Sequence, residues 1–149
     1  MLKILKFIAT LFVATLITTP AHAESNKQVI CLAQNMYHEA RGEGDQGMLA
    51  VSNVVINRMK SGKFPTTPCG VITQKTHKVC QFSWVCQRNK QIREPALYQR
   101  ALQLARQVYS SNMRDITRGA LYYRAKFDKP RVNRSNLIVM IGSHNFYRG

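Results

Sequence analysis

At 149 residues the chain argues against more than one domain, yet it is long enough to bury a core of its own. Its 22 Lys and Arg against 7 Asp and Glu give a formal charge of +15, which points to anionic partners: cell-wall polymers, lipid headgroups, or nucleic acid. The charge is spread along the chain rather than gathered in a tail, so a role in solubility alone is the bland alternative.

The first 23 residues read as a secretory leader. Lys3 and Lys6 form a short basic region and an apolar stretch runs from Phe7 to Ile17. Thr18, Thr19 and Pro20 break that stretch, and Ala21-His22-Ala23 supplies a small-residue cleavage site. The rival is an N-terminal membrane anchor, for which the uncharged run is short and polar at its end. No cysteine follows the expected cut, which disfavours a lipoprotein. The mature domain is then 24–149, with a net charge of about +13 once Lys3 and Lys6 are set aside.

Residues 26–41 carry Val29, Ala33, Met36, Tyr37 and Ala40 at helical spacing. Gly42, Gly44 and Gly47 interrupt the pattern. A second helix is expected from Asp45, as N-cap, to about Lys60. Residues 64–90 read as a long loop holding Pro65, Pro68, Gly70 and three cysteines. Pro95 suits the first turn of a third helix with the stripe Leu97, Ala101, Leu102, Ala105, Val108 and Tyr109. Two short extended runs follow, 120–123 and 137–141, the second apolar enough for a buried strand. The expected class is α+β, mainly helical, with a small β element near the C-terminus.

Cys31, Cys69, Cys80 and Cys86 all fall in the mature part, and an even count in an exported chain favours two disulfides. A zinc site built from all four cysteines lacks its short-spaced pairs. Three connectivities are open, and crowding of Cys69, Cys80 and Cys86 in one loop segment predicts at least one bridge within that cluster.

The chemistry concentrates in residues 37–44, Tyr-His-Glu-Ala-Arg-Gly-Glu-Gly. Glu39 sits at the edge of the buried stripe, where partial desolvation raises a carboxyl pKa and keeps it protonated as a general acid. A structural ion pair with Arg41 or Arg58, or a solvated helix end, is the alternative. His38-Glu39 does not extend to a zinc motif, because the second histidine position is Gly42. No metal or cofactor is expected. A cysteine nucleophile conflicts with disulfide pairing, and no G-x-S-x-G signal is present.

From Cys31 to Glu43 and from Gly47 to Arg58 the sequence resembles the SleB/CwlJ-like cell-wall hydrolases, the spore-cortex-lytic family. Further blocks agree in order: residues 64–72, residues 80–86 (Cys-Gln-Phe-Ser-Trp-Val-Cys), residues 119–123 (Gly-Ala-Leu-Tyr-Tyr) and residues 141–147 (Ile-Gly-Ser-His-Asn-Phe-Tyr). The resemblance covers nearly the whole mature chain. It implies a lysozyme-like fold, action on peptidoglycan, and a catalytic role for the first glutamate of Glu-Ala-Arg-Gly-Glu, here Glu39. Arg124 departs from the family pattern, in which a histidine often follows the second tyrosine. No separate wall-binding domain is recognisable, so wall affinity falls to the catalytic domain or its charge. The cysteines suggest the Gram-negative, periplasmic branch.

Cleaving a glycoside requires an acid on the leaving oxygen, and a hydrolase adds a second carboxylate across the sugar. Glu43, on the same helix end as Glu39, is poorly placed to flank the sugar. It is read as structural, turning to backbone N–H groups of the second helix or pairing with Arg58. A lytic transglycosylase needs one carboxyl only, and the scarcity of acids fits that route. Asp115 and Asp128 are the acids that folding has to bring in for hydrolysis. Tyr122, Tyr123, Phe82, Trp84 and Phe146 are candidates for stacking on sugars, with Ser83, His144 and Asn145 as hydrogen-bonding neighbours; core packing is the alternative for the rings, evenly weighted for Phe82 and Phe146. The expected partner is the peptidoglycan glycan strand, bound by an exported monomer of the periplasm or envelope, without stable membrane insertion and without nucleic acid. The rivals are a hydrolytic muramidase or glucosaminidase, a non-catalytic peptidoglycan-binding module, and an exported nucleic-acid binder suggested by charge alone.

Overall fold

A computed structural model describes residues 20–110, 113–128 and 134–149. The expected leader falls mainly on residues 1–19, outside the described residues; its tripeptide Ala21-His22-Ala23 lies in the first helix. Among the described residues no helix is long and apolar enough to cross a membrane.

Helix α1 spans Pro20–Ala40. Its face of Val29, Leu32, Ala33, Met36, Tyr37 and Ala40 is buried, as the helical spacing predicts. A 3-10 turn, Arg41–Glu43, leads into α2, Gly44–Lys60. The N-cap position is Glu43, without a side-chain cap bond, and not Asp45 as expected. Asp45 lies in the first turn of α2 and accepts two hydrogen bonds from Arg100, at 2.5 and 3.0 Å.

Helix α4, Pro95–Ser110, packs against α1 and α2 and buries Ala101, Leu104, Ala105 and Val108. Leu97 and Leu102 pack at the edge of that core, and Tyr109 is exposed. With Val71, Ile72, Phe82 and Trp84 these residues form the main core.

The expected loop of residues 64–90 is more ordered than its composition suggests. It contains α3, Pro68–Thr73, whose N-cap Thr67 accepts from Gly70 N at 3.1 Å. A two-residue hairpin follows, β1 Lys75–Thr76 with β2 Val79–Cys80, turning through His77 and Lys78, both at positive φ. A 3-10 turn, Ser83–Cys86, completes the segment. These pieces are too short to show periodicity, so sequence patterning misses them. Two disulfides brace the region: Cys31–Cys69 ties α1 to α3, and Cys80–Cys86 closes the short turn.

The C-terminal sheet is antiparallel in the order β3 (Tyr122–Ala125), β5 (His144–Tyr147), β4 (Leu137–Ile141). Contrary to expectation, β4 is half exposed: it is an edge strand, and Leu137 and Met140 face solvent. Central β5 buries Phe146 and Tyr147 instead. A second small core of Ala50, Val54, Ala120 and Phe146 joins the sheet to α2. The strand β3 is anchored by the loop before it, where Asp115 accepts from Asn57 Nδ2 (2.9 Å), Thr117 N (2.8 Å) and Gly119 N (2.6 Å).

Candidate active site

Glu39 occupies the penultimate position of α1, beside buried Ala40 and one turn after Met36. The helical period sets its side chain at the rim of the core, facing β3 across the cleft. There Tyr123 Oη donates a 3.0 Å hydrogen bond to Glu39 Oε2. Burial pushes the Glu39 carboxyl above its ordinary value, and the Tyr123 bond partly opposes that rise. Burial together with the neighbouring carboxylate holds the Tyr123 phenol well above its usual range, so Tyr123 is a donor at any physiological pH.

Neither basic neighbour neutralises Glu39. Arg41 Nε donates to Glu94 at 2.6 Å, and Arg58 Nε donates to the Leu121 carbonyl at 2.8 Å. The ion pairs weighed for Glu39 from its sequence context are therefore made elsewhere or not at all. What remains is a partly buried acid with one neutral donor, its carboxyl raised above the ordinary value by burial.

Two hollows meet at Glu39 and Ser83. The first, about 330 Å³, is walled by His38 and Trp84 and by the amides of Gln87, Asn89 and Gln91. His38 stacks on Trp84 at 4.6 Å and 17°, and Trp84 Nε1 donates to Asn35 at 3.0 Å, which fixes the plate. Burial, then the charges of Arg41 and Lys90, lower the His38 pKa. The second hollow, about 400 Å³, is walled by Phe82, Tyr123, Arg124, His144, Arg58 and Asp128. His144 meets Tyr123 edge-on at 5.3 Å, and burial keeps its imidazole below the usual pKa.

The residues expected to meet sugar divide accordingly. Ser83, Trp84, Phe82, Tyr123 and His144 line the hollows. Tyr122 and Asn145 line neither. Alternation along β3 turns Tyr122 to the other face, against Phe64 at 6.4 Å. Asn145 is held inside the sheet between Arg124 and Met140. Phe146 is fully buried in the second core. Sequence reasoning passed over Arg41 and Arg93 of the first hollow, its three amides, and Arg124 as a cleft residue, for which no periodic signal exists.

Glu43 has neither of the partners expected for it. It reaches the turn between β4 and β5, where Ser143 N donates to Oε2 at 2.7 Å and Ser143 Oγ donates to Oε1. Those bonds hold the Glu43 carboxyl below its ordinary pKa. Gly142 makes the approach possible: its φ is +57°, and a Cβ there would run into the Glu43 carboxylate. Among the described residues no cluster of three His, Cys, Asp or Glu is arranged to hold a metal ion.

The domain is thus mainly helical, with a small antiparallel sheet and an acid, Glu39, where two hollows meet. The chain belongs to the cell wall hydrolase family, whose model matches residues 42–147 and so begins just past Glu39. Two curated relatives are spore cortex-lytic enzymes. That of Bacillus subtilis (strain 168) is 46% identical over 48 residues, 32% of this chain and 16% of that protein. That of Oceanobacillus iheyensis is 44% identical over 48 residues, 32% of this chain and 17% of the relative. The matched stretch thus spans less than a fifth of either relative. The chain is similar to the catalytic domain of the germination-specific lytic transglycosylase SleB from Bacillus anthracis, with TM-score 0.63 and 28% identity over 81% of this chain and 93% of that one. It is similar also to the SleB catalytic domain of Bacillus cereus, with TM-score 0.59 and 28% identity over 82% and 91%.

Proposed function

We propose that this protein is an exported lytic transglycosylase that cleaves peptidoglycan glycan strands between N-acetylmuramic acid and N-acetylglucosamine, with Glu39 as its single acid/base. The observation that carries the reading is the position of Glu39, desolvated and hydrogen-bonded by Tyr123 where the two hollows meet. A strand laid through both hollows presents one glycosidic oxygen at that junction.

Glu39 begins protonated and gives its proton to the bridging oxygen as the bond to the muramyl anomeric carbon breaks. The carboxylate so formed, stabilised by the Tyr123 hydroxyl, then takes the proton of the muramyl 6-hydroxyl. That oxygen closes on the anomeric carbon and leaves a 1,6-anhydro end. Proton transfer of this kind contributes typically 10²–10⁴-fold. Glu43 and Arg41 take no part in this chemistry, being committed to Ser143 and Glu94.

Hydrolysis is the second reading, and one observation favours it: Asp128 lines the same hollow as Glu39. A non-catalytic binding module is the third, and it leaves the desolvated acid without a purpose. Digestion of purified sacculi by wild type and by Glu39→Gln is the test. Wild type is expected to release soluble muropeptides, and folded Glu39→Gln to bind sacculi and release none. Full digestion by the variant would remove Glu39 from the mechanism.

A further inference from the structure

Arg58, in the last turn of α2, is 5% exposed, yet it lines the hollow that holds Glu39, Tyr123 and Asp128. Its guanidinium is enclosed by aromatic rings, 5.0 Å from the Phe64 centroid, 5.4 Å from Phe82 and 5.5 Å from Tyr122. Nε is used by the Leu121 carbonyl, whereas Nη1 is buried and makes no hydrogen bond within the protein.

No carboxylate pairs with it. All seven acids of the chain lie among the described residues. Glu24 bonds Gln28, Glu43 bonds Ser143, Asp45 bonds Arg100, Glu94 bonds Arg41 and Asp115 bonds Asn57. Glu39 and Asp128 share the hollow with Arg58, but neither forms an ion pair with it within 4.0 Å. A buried cation without a counter-charge is costly, and ring faces recover only part of that cost. It is costlier still in a hollow where an oxocarbenium-like centre gains positive charge. Both costs fall if an anionic group of the substrate sits on Arg58 before the bond breaks.

We infer that Arg58 is a substrate-binding residue whose guanidinium takes a carboxylate borne on the muramyl substituent of the glycan. This rests on the glycan-strand reading above. Two sources carry that chemistry: the lactyl carboxylate, free where the stem peptide has been removed, and the carboxylates of the stem peptide itself. A charged guanidinium N–H bonds a carboxylate more strongly than it bonds a hydroxyl or acetamido oxygen.

The test uses four substrates: intact sacculi, amidase-stripped strands, and each of these after carbodiimide coupling of its carboxylates to methylamine. Wild-type kcat/KM is expected to fall about tenfold or more on amidation of the form that supplies the carboxylate. A loss on stripped strands assigns the lactyl group, and a loss on intact sacculi assigns the stem. Arg58→Met is expected to be slower and to treat native and amidated substrates alike. Arg58→Lys, which keeps the charge without the guanidinium, is expected to retain part of the discrimination with a raised KM. Thermal unfolding checks both variants. Should Arg58→Met not fold, wild type and Arg58→Lys still decide. Wild type indifferent to amidation of both substrates would overturn the inference, as would Arg58→Met with full discrimination. If wild type released no fragments from any of the four, the glycan-strand reading itself would fall, and this inference with it.

Discussion

The hydroxyl of Tyr123 in β3 donates a 3.0 Å hydrogen bond to Glu39 Oε2 at the end of α1, across 84 residues of chain. The bond favours the ionised carboxylate and works against the burial that raises the Glu39 pKa. Removing it in Tyr123→Phe leaves desolvation unopposed, so the pKa rises further. A general acid must be protonated, and activity is lost as pH climbs through its pKa. The alkaline limb of the kcat/KM profile is therefore expected to move to higher pH in Tyr123→Phe. The maximal rate should fall, by about tenfold, because the carboxylate formed after proton donation loses its donor. A profile that keeps its alkaline limb in place would mean that Glu39 does not govern it.

Parts of this arrangement were legible in the sequence, and the reasons differ by element. Helices α1, α2 and α4 announced themselves through periodic apolar residues, and the same periodicity set Glu39 at the edge of the buried stripe. The family resemblance, not the periodicity, singled Glu39 out as catalytic. Strand β5 was missed because it opens on His144 and Asn145 and has four residues; it exists because β3 and β4 pair with it on both sides. The partner of Glu43 lies 100 residues away on a turn that only the folded sheet defines. Tyr122 and Tyr123 are adjacent and equally aromatic, and strand alternation alone sends one to the cleft and the other to Phe64.

Glu43 is expected to matter for stability more than for rate. Its folded-state pKa is lowered by the Ser143 bonds, so its contribution is present above the unfolded carboxyl value, roughly 4.3, and is lost as pH falls through the folded value. In Glu43→Gln an amide nitrogen replaces one accepting oxygen. The expected loss at pH 7 is about 1 kcal/mol, discounted for solvent access, which lowers the melting temperature by about 4 °C. Thermal unfolding of wild type and variant across pH 3 to 7 checks this. The gap between the two curves should close on the acid side, and a gap that widens there would contradict the sign.

The disulfides divide between fold and cleft. Cys31–Cys69 spans 38 residues and joins two core helices. Its loss in Cys31→Ser/Cys69→Ser is expected to cost about 4 kcal/mol in the chain-entropy model. Cys80–Cys86 spans 6 residues, which gives about 2 kcal/mol in the same model. That bridge frames Phe82, Ser83 and Trp84, so its removal should raise KM for sacculi more than it lowers stability. Thiol titration of denatured, unreduced protein made in an oxidising compartment should find no free thiol. Four free thiols would dismiss both bridges.

The chemical outcome turns on Asp128. It shares the hollow with Glu39, and it is the acid a hydrolytic mechanism would recruit, as base or nucleophile, from across the sugar. Asp115 is unsuited to that part, since Asn57, Thr117 and Gly119 occupy its oxygens beneath the loop before β3. If Glu39 acts alone, sacculus fragments carry 1,6-anhydromuramic ends, one water lighter than hydrolytic fragments and resistant to borohydride. Digestion in labelled water then leaves no label in them. Asp128→Asn should keep turnover within about tenfold of wild type and give the same anhydro products, because general acid–base help from a second group is not being used. Mass spectrometry of both digests decides the matter. Reducible, labelled fragments from wild type, together with an Asp128→Asn variant as inactive as Glu39→Gln, would replace the single-carboxyl mechanism with a two-carboxyl hydrolase.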